Sequence, residues 1–208
     1  MHTAPGPVEV HCVEASKNHF ARLVVTKAKF FSNAAATTQW HLHNLAMSEA
    51  ASGMLPFSDD GCGELCSIGG RAHQRAGLQL TVSSNVDTLV SSIGGRIALL
   101  KVDTEGHEPS VLRGARSSLR ARLFDVVAFE HSGSDKDDWS HVKLMDVVDE
   151  LSGYGYVCFY DGAQRAIQLT GCPSERWNHK HWSNVVCVDA RQTHLVKGLF
   201  NGSIGGKG

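Results

Sequence analysis

The sequence predicts an α/β fold with a mostly parallel sheet, and three observations carry that prediction. Segments of strand character alternate with segments of helical periodicity along most of the 208 residues, the pattern of β-α repeats. Ile97-Ala98-Leu99-Leu100-Lys101-Val102 is a nearly continuous apolar run, as expected of a strand buried on both faces. Hydrophobic residues make up 42% of the chain and charged residues 20%, a balance that favours a packed core over disorder.

The first expected strand is Val8 to Glu14, partly alternating and rich in β-branched residues. Ser16 is placed to cap the helix behind it, whose apolar Phe20, Leu23 and Val24 share a face. Trp40 to Met47 reads as a second strand. Ser52-Gly53 is a turn signal, and Met54 to Phe57 is expected to pair back in a hairpin. Ser58 to Gly77, rich in Gly, Ser and Asp, reads as a long loop. Leu78 to Val82 is a short strand, and Val86 to Ile93 a short helix ended by Gly94-Gly95.

After the 97–102 strand, Pro109 opens a helix where its missing N–H costs nothing. Val111, Leu112, Ala115 and Leu119 form its buried stripe. Phe124 to Phe129 is another buried strand, ending at Glu130-His131. Val142, Met145, Val148 and Leu151 mark a helix closed by Gly153. Tyr156 to Tyr160 and Val185 to Val188 are strands, separated by a polar loop with Trp177, His179, His181 and Trp182. Residues 1–200 are expected to form one domain and the Gly-rich residues 201–208 a frayed tail.

Composition removes several functions. The net charge is -1 and no basic stripe stands out, so no nucleic-acid partner is expected. No run reaches the about 20 apolar residues of a membrane span, and Met1 to Pro7 lacks the pattern of a signal peptide. Cys12, Cys158 and Cys187 read as small core hydrophobes inside strands, which favours a reducing, cytoplasmic compartment. Cys62 and Cys66 have no second pair at zinc-site spacing. His41 and His43 share one strand face, His179 and His181 lie in a loop, and His2 and His11 lie near the start. Spacing fixes no third ligand for any of them, so no metal site is expected. A magnesium site on Asp103, Glu105 or Glu130 is compatible with carboxylate chemistry but not demanded by it.

Ligands of parallel α/β sheets sit at the C-terminal ends of strands. Three such ends carry acids here: Glu14, Asp103 with Glu105, and Glu130. A carboxylate after a strand can equally cap the next helix, but three on one sheet point to a ligand cleft. Asp103, His107, Glu130 and His131 are candidate bases. Glu105 can do chemistry or favour a helix N-terminus, and Glu108 fits the second role better.

The stretch Lys101-Val102-Asp103-Thr104-Glu105-Gly106-His107-Glu108, continued by Val111-Leu112-Arg113-Gly114-Ala115, resembles the signature of the FkbM family of S-adenosylmethionine-dependent methyltransferases. Val13-Glu14-Ala15-Ser16, Asn44-Leu45-Ala46-Met47-Ser48, Val86-Asp87-Thr88-Leu89 and Phe129-Glu130-His131 resemble further pieces in family order. The resemblance implies a Rossmann-like class I methyltransferase sheet. It also implies methyl transfer from S-adenosylmethionine to a hydroxyl of a small molecule or sugar. Glu14 would hold the ribose hydroxyls, and Ala46 and Ser48 would lie near the adenine. Asp103 would sit beside the donor methyl and the acceptor, within a catalytic set of Asp103, Glu105, His107, Glu130 and His131. The competing reading is a methyltransferase-like domain that acts in binding only. Gly106 is expected to let backbone approach the ligand.

Family members begin this domain with an apolar strand and a glycine-rich D-x-G-A-N-x-G turn. No segment here matches it; Ile68-Gly69-Gly70 and Ile93-Gly94-Gly95 follow loop or helix. The expected sheet therefore lacks that strand, leaving the strands at Val8 to Glu14 and Ile97 to Val102 with open edges.

Overall fold

The computed structural model describes residues 8–30, 38–51, 53–58, 78–132, 137–162, 166–178 and 182–201. The expected loop beyond Ser58, Cys62, Cys66, His2, His179, His181 and the tail from Gly202 lie outside them. The chain divides into two compact units, Met1–Ser84 and Asn85–Gly208.

The first unit holds β1 (Val8–Val13), α1 (Lys17–Phe30), β2 (Thr38–His43), β3 (Ala46–Met47), β4 (Met54–Ser58) and β5 (Leu78–Ser84). β1 and β2 pair in parallel, with His11 opposite His41 and Val13 opposite His43. Ser16 caps α1 as its sequence suggested, its Oγ accepting the His19 N–H at 3.0 Å. The strand expected from Trp40 to Met47 is interrupted at Asn44. That side chain donates to the carbonyls of Glu14 and Ala15 at 2.8 and 3.3 Å. The chain then enters a different sheet, of order β3-β5-β4. The expected hairpin partner is also corrected: β4 pairs antiparallel with β5, Leu55 opposite Thr81. Pairing partners are non-local choices that strand propensity does not encode.

The second unit holds α2 (Val86–Ile93), β6 (Ile97–Val102), α3 (Glu108–Arg113), α4 (Arg116–Arg120), β7 (Phe124–His131), α5 (Leu144–Gly153), β8 (Tyr156–Asp161), β9 (Ala166–Gln168), β10 (Ser183–Asp189) and α6 (Thr193–Asn201). The sheet order is β6-β7-β10-β8-β9. Among the described strands of this sheet β6–β7 is the one parallel pair. β10 lies between β7 and β8 and runs antiparallel to both, so β6, β7 and β8 share a direction and the sheet is mixed rather than mostly parallel. Phe124, Val127, Phe129, Val148, Tyr156, Phe159 and Val185 are its fully buried core.

Three expectations change here. The helix opened by Pro109 is two helices, broken at Gly114-Ala115. Asp87 restarts it by accepting the N–H groups of Ser117 and Ser118 at 2.9 and 2.8 Å. Secondly, the apolar β6 is not buried on both faces. It is the edge strand, with Leu99 55% exposed and only Val102 buried. An edge strand lacks the packing neighbours that a central one has. Thirdly, Cys158 and Cys187 are joined in a disulfide rather than lying free in the core. They stand directly opposite each other in β8 and β10, where antiparallel pairing brings side chains close. The disulfide removes the ground on which a reducing compartment was expected. Among the described residues no helix is long and apolar enough to cross a membrane.

Candidate active site: a carboxylate cluster beside the parallel strands

β6 and β7 run in the same direction, with Val102 opposite Phe129. The next residues, Asp103 and Glu130, therefore fall side by side. Glu130 still belongs to β7 and is only 6% exposed. Its carboxyl is hydrogen-bonded to that of Asp103, with Glu105 and Glu108 near enough to act on it. Burial first, then the Asp103 charge and hydrogen bond, then Glu105 and Glu108, all push its pKa upward, to about 7. Asp103 is the exposed member of the pair and accepts from the Lys101 ammonium at 3.1 Å.

The loop after Asp103 is held in an unusual shape. Glu105 and Gly106 both have left-handed backbone, φ 55° and 99°. A left-handed glutamate is strained and persists only when its surroundings hold it. Glu108 supplies that hold. Its wholly buried carboxylate accepts the Thr104 N–H at 2.7 Å, the Thr104 hydroxyl at 3.0 Å and the Gly106 N–H at 3.1 Å. It also accepts the Trp139 indole N–H at 2.9 Å. Glu108 is thus a keystone of the loop rather than a reacting group. Gly106 permits a close approach, but to the chain itself. A Cβ there would lie 2.6 Å from that of Asp137, and the Gly106 carbonyl accepts the Asp138 N–H at 3.1 Å.

His107 points its Nδ1 at Asp138 Oδ2, 2.9 Å away. Ser110 donates to the same oxygen at 2.6 Å. Burial alone would raise the Asp138 pKa, but the bonds from His107 and Ser110 outweigh it and hold the carboxyl below its ordinary value. His131 is buried at the end of β7 and meets Trp139 edge-on at 4.7 Å. Trp139 also stacks on Phe129 at 6.2 Å. The structure therefore pairs Asp103 with Glu130 and brings Glu105 near enough for its charge to act on Glu130, while His107 and His131 serve the wall that Asp138 and Trp139 build.

Sequence reasoning missed that wall. Its local signal was Asp137-Asp138-Trp139, in which Asp137 accepts the Trp139 N–H at 2.9 Å and the Ser132 hydroxyl at 2.6 Å. An aspartate two residues before a turn amide is a recognisable turn former. Nothing local says which loop the turn will touch.

The remaining predicted residues lie in the first unit. Glu14 follows β1, and its Oε1 accepts the Ser16 N–H at 2.7 Å. Ser48 is half-buried and donates its N–H to the Ser84 carbonyl at 2.9 Å. Ala46 is completely buried in β3, paired with Ser83.

In comparisons with known proteins, a family model described as the methyltransferase FkbM domain matches residues 11–158, well over half of the chain. No curated protein and no solved structure gives a significant match. The family match spans both the Glu14 turn and the Asp103–Glu130 cluster, and it places the chain in that family.

Proposed function

We propose that this member of the FkbM methyltransferase family uses S-adenosylmethionine to methylate a hydroxyl of a small molecule or sugar, on a Rossmann-like sheet. The observation that supports this most is the Glu130–Asp103 pair at the ends of β6 and β7. Acids pressed together with all their influences pushing one pKa upward are short of positive charge. The donor's sulfonium is a cation, so this donor set suits it. When bound, S-adenosylmethionine supplies an electrophilic methyl group.

The chain's own contribution is positioning and proton handling. With a pKa of about 7, Glu130 can take the acceptor hydroxyl's proton at neutral pH and release it again. Asp103, more exposed and bonded to Glu130, orients the hydroxyl. Glu105 stands on the strained turn beside them. His107 and His131 support the wall, through Asp138 and Trp139. In the first unit the resemblance alone assigns the ribose hydroxyls to Glu14 and the adenine to the segment from Ala46 to Ser48.

Calorimetric titration with S-adenosylmethionine tests the reading, followed by transfer assays on a panel of hydroxyl acceptors. The wild type binds the cofactor. Its turnover rises with pH through about 7, where Glu130 ionises. Glu130→Gln keeps binding, loses that pH limb and turns over about 10²–10⁴-fold more slowly. No cofactor binding, or full turnover in the variant, rejects the assignment.

A further inference from the structure

The parallel pair β1–β2 carries a second chemical cluster, in the first unit and independent of the proposed methyl transfer. Side chains alternate along strands, so Glu9 and His11 share one face of β1, and His41 and His43 share one face of β2. The register sets His11 opposite His41. The His11 ring stacks on His41 at 4.5 Å and on His43 at 5.3 Å. One potential ligand atom each from Glu9, His11 and His41 lies within 4.8 Å of the others.

We propose that Glu9, His11 and His41 bind a divalent transition-metal ion of the zinc type, with His43 fixing the tautomer of His11. The hydrogen-bond pattern carries this. His11 Nδ1 lies 3.1 Å from His43 Nε2, so one of these nitrogens donates to the other. If His11 is the donor, its Nε2 is a bare lone pair. That atom is buried, has no hydrogen-bond partner among the described residues, and stands 3.7 Å from a Glu9 carboxylate oxygen. Two electron-rich atoms facing each other repel, and a cation between them reverses the sign. His41 Nε2 is likewise buried with no hydrogen-bond partner among the described residues. Such nitrogens are costly to leave unused.

A ligating histidine that donates its other ring N–H is the usual arrangement at metal sites. His43 Nε2, 3.1 Å from His11 Nδ1, is placed for the accepting role. Two imidazoles and one carboxylate are a ligand set that zinc takes, with room for water. The imidazoles disfavour magnesium or calcium. Zinc–nitrogen bonds of about 2.1 Å put tetrahedral ligands about 3.4 Å apart. Binding therefore draws the three groups slightly together, and Glu9, 54% exposed in its side chain, is free to move. A two-stranded pair is marginal alone, so a cross-strand metal would steady it.

The test uses the full chain, stripped with EDTA and dialysed. Zinc chloride is titrated in a calorimeter, and cobalt(II) chloride is followed by its visible ligand-field absorption. The expected result is binding of one equivalent, intense low-symmetry cobalt bands, and a higher melting temperature with zinc. Glu9→Gln and His41→Ala each weaken binding at least about tenfold, as does His43→Leu. His194→Ala, on the exposed face of α6, does not. Glu9→Gln keeps the proposal testable if His41→Ala folds poorly. Absence of zinc binding overturns it, as does binding that Glu9→Gln leaves unchanged; the latter places the metal on other histidines. A proton instead of a metal between Glu9 and His11 would show as a His11 imidazolium by NMR that zinc does not displace, and that too overturns it.

Discussion

The five-stranded sheet buries an acid at each end, and the two acids behave in opposite ways. Glu130 is the last residue but one of β7, and Asp189 closes β10. Because these strands are antiparallel, with Ser183 opposite His131 and Val188 opposite Val126, the acids lie at opposite ends. Asp189 is completely buried. It is held by the guanidinium of Arg122 and by that of Arg191, whose Nε lies 2.9 Å away, with Arg96 at 3.5 Å. Burial alone would raise its pKa, but the bonds from Arg191 and Arg122 more than reverse that and hold it well below the carboxylate range. Glu130, almost as buried, sits among other carboxylates and is pushed the other way. One end of the sheet is electrostatically complete as folded. The other is short of positive charge, which fits the cationic methyl donor proposed above.

The largest effect that could break this comparison belongs to Asp189→Asn. Removing the negative charge leaves Arg122 and Arg191 facing a neutral amide, and denaturant melts at pH 7 should show a loss of about 3 kcal/mol. Because its folded pKa is depressed, Asp189 contributes stability above the ordinary carboxylate pKa and loses it as pH falls below that value. The wild type should therefore lose more stability than the variant on acidification. A loss near zero at pH 7 would mean that the arginine end is not the anchor it looks like.

Glu130→Gln should move stability in the opposite direction. Its folded pKa is raised, so the protonated acid's contribution is complete below the ordinary carboxylate pKa. It is lost as pH rises to about 7. At pH 8 the variant should be more stable than the wild type by on the order of 1–3 kcal/mol, with the gain vanishing at pH 4. Paired melts at those two pH values measure it. Equal stabilities at pH 8 would mean that Glu130 is compensated after all.

The smallest effect is expected at Lys101→Met. Its ammonium and the Asp103 carboxylate are both nearly half exposed. Exposed pairs contribute little, so the change should stay within about 0.5 kcal/mol. A larger loss would show that Lys101 reaches past Asp103 to neutralise the cluster, which would blur the contrast between the two ends.

Local features were legible. The helix from Val86 to Ile93 is visible in its periodicity and its terminal glycines, and the structure gives those same bounds. The acids at strand ends were visible because a strand that stops at a charged residue shows both facts in one short run. The left-handed turn at Glu105 was not visible, since it depends on Glu108 and Trp139 holding the loop from two directions. Nor was the break after Arg113, which depends on Asp87 arriving at the start of α4 from another helix.

Chain order alone decides which residues share a strand face, which glycine ends a helix, and which family signature runs from Lys101 to Ala115. These are properties of residues a few positions apart, so short-range sterics and periodicity set them. Chain order does not decide who stands across the ladder. His41 and His43 are visibly on one face, but that Glu9 and His11 join them follows from the β1–β2 register. Cys158 and Cys187 meet, and Leu99 of an apolar strand faces solvent, for the same reason. Register and neighbour are chosen by packing between segments far apart in the chain, and only the folded molecule contains that packing.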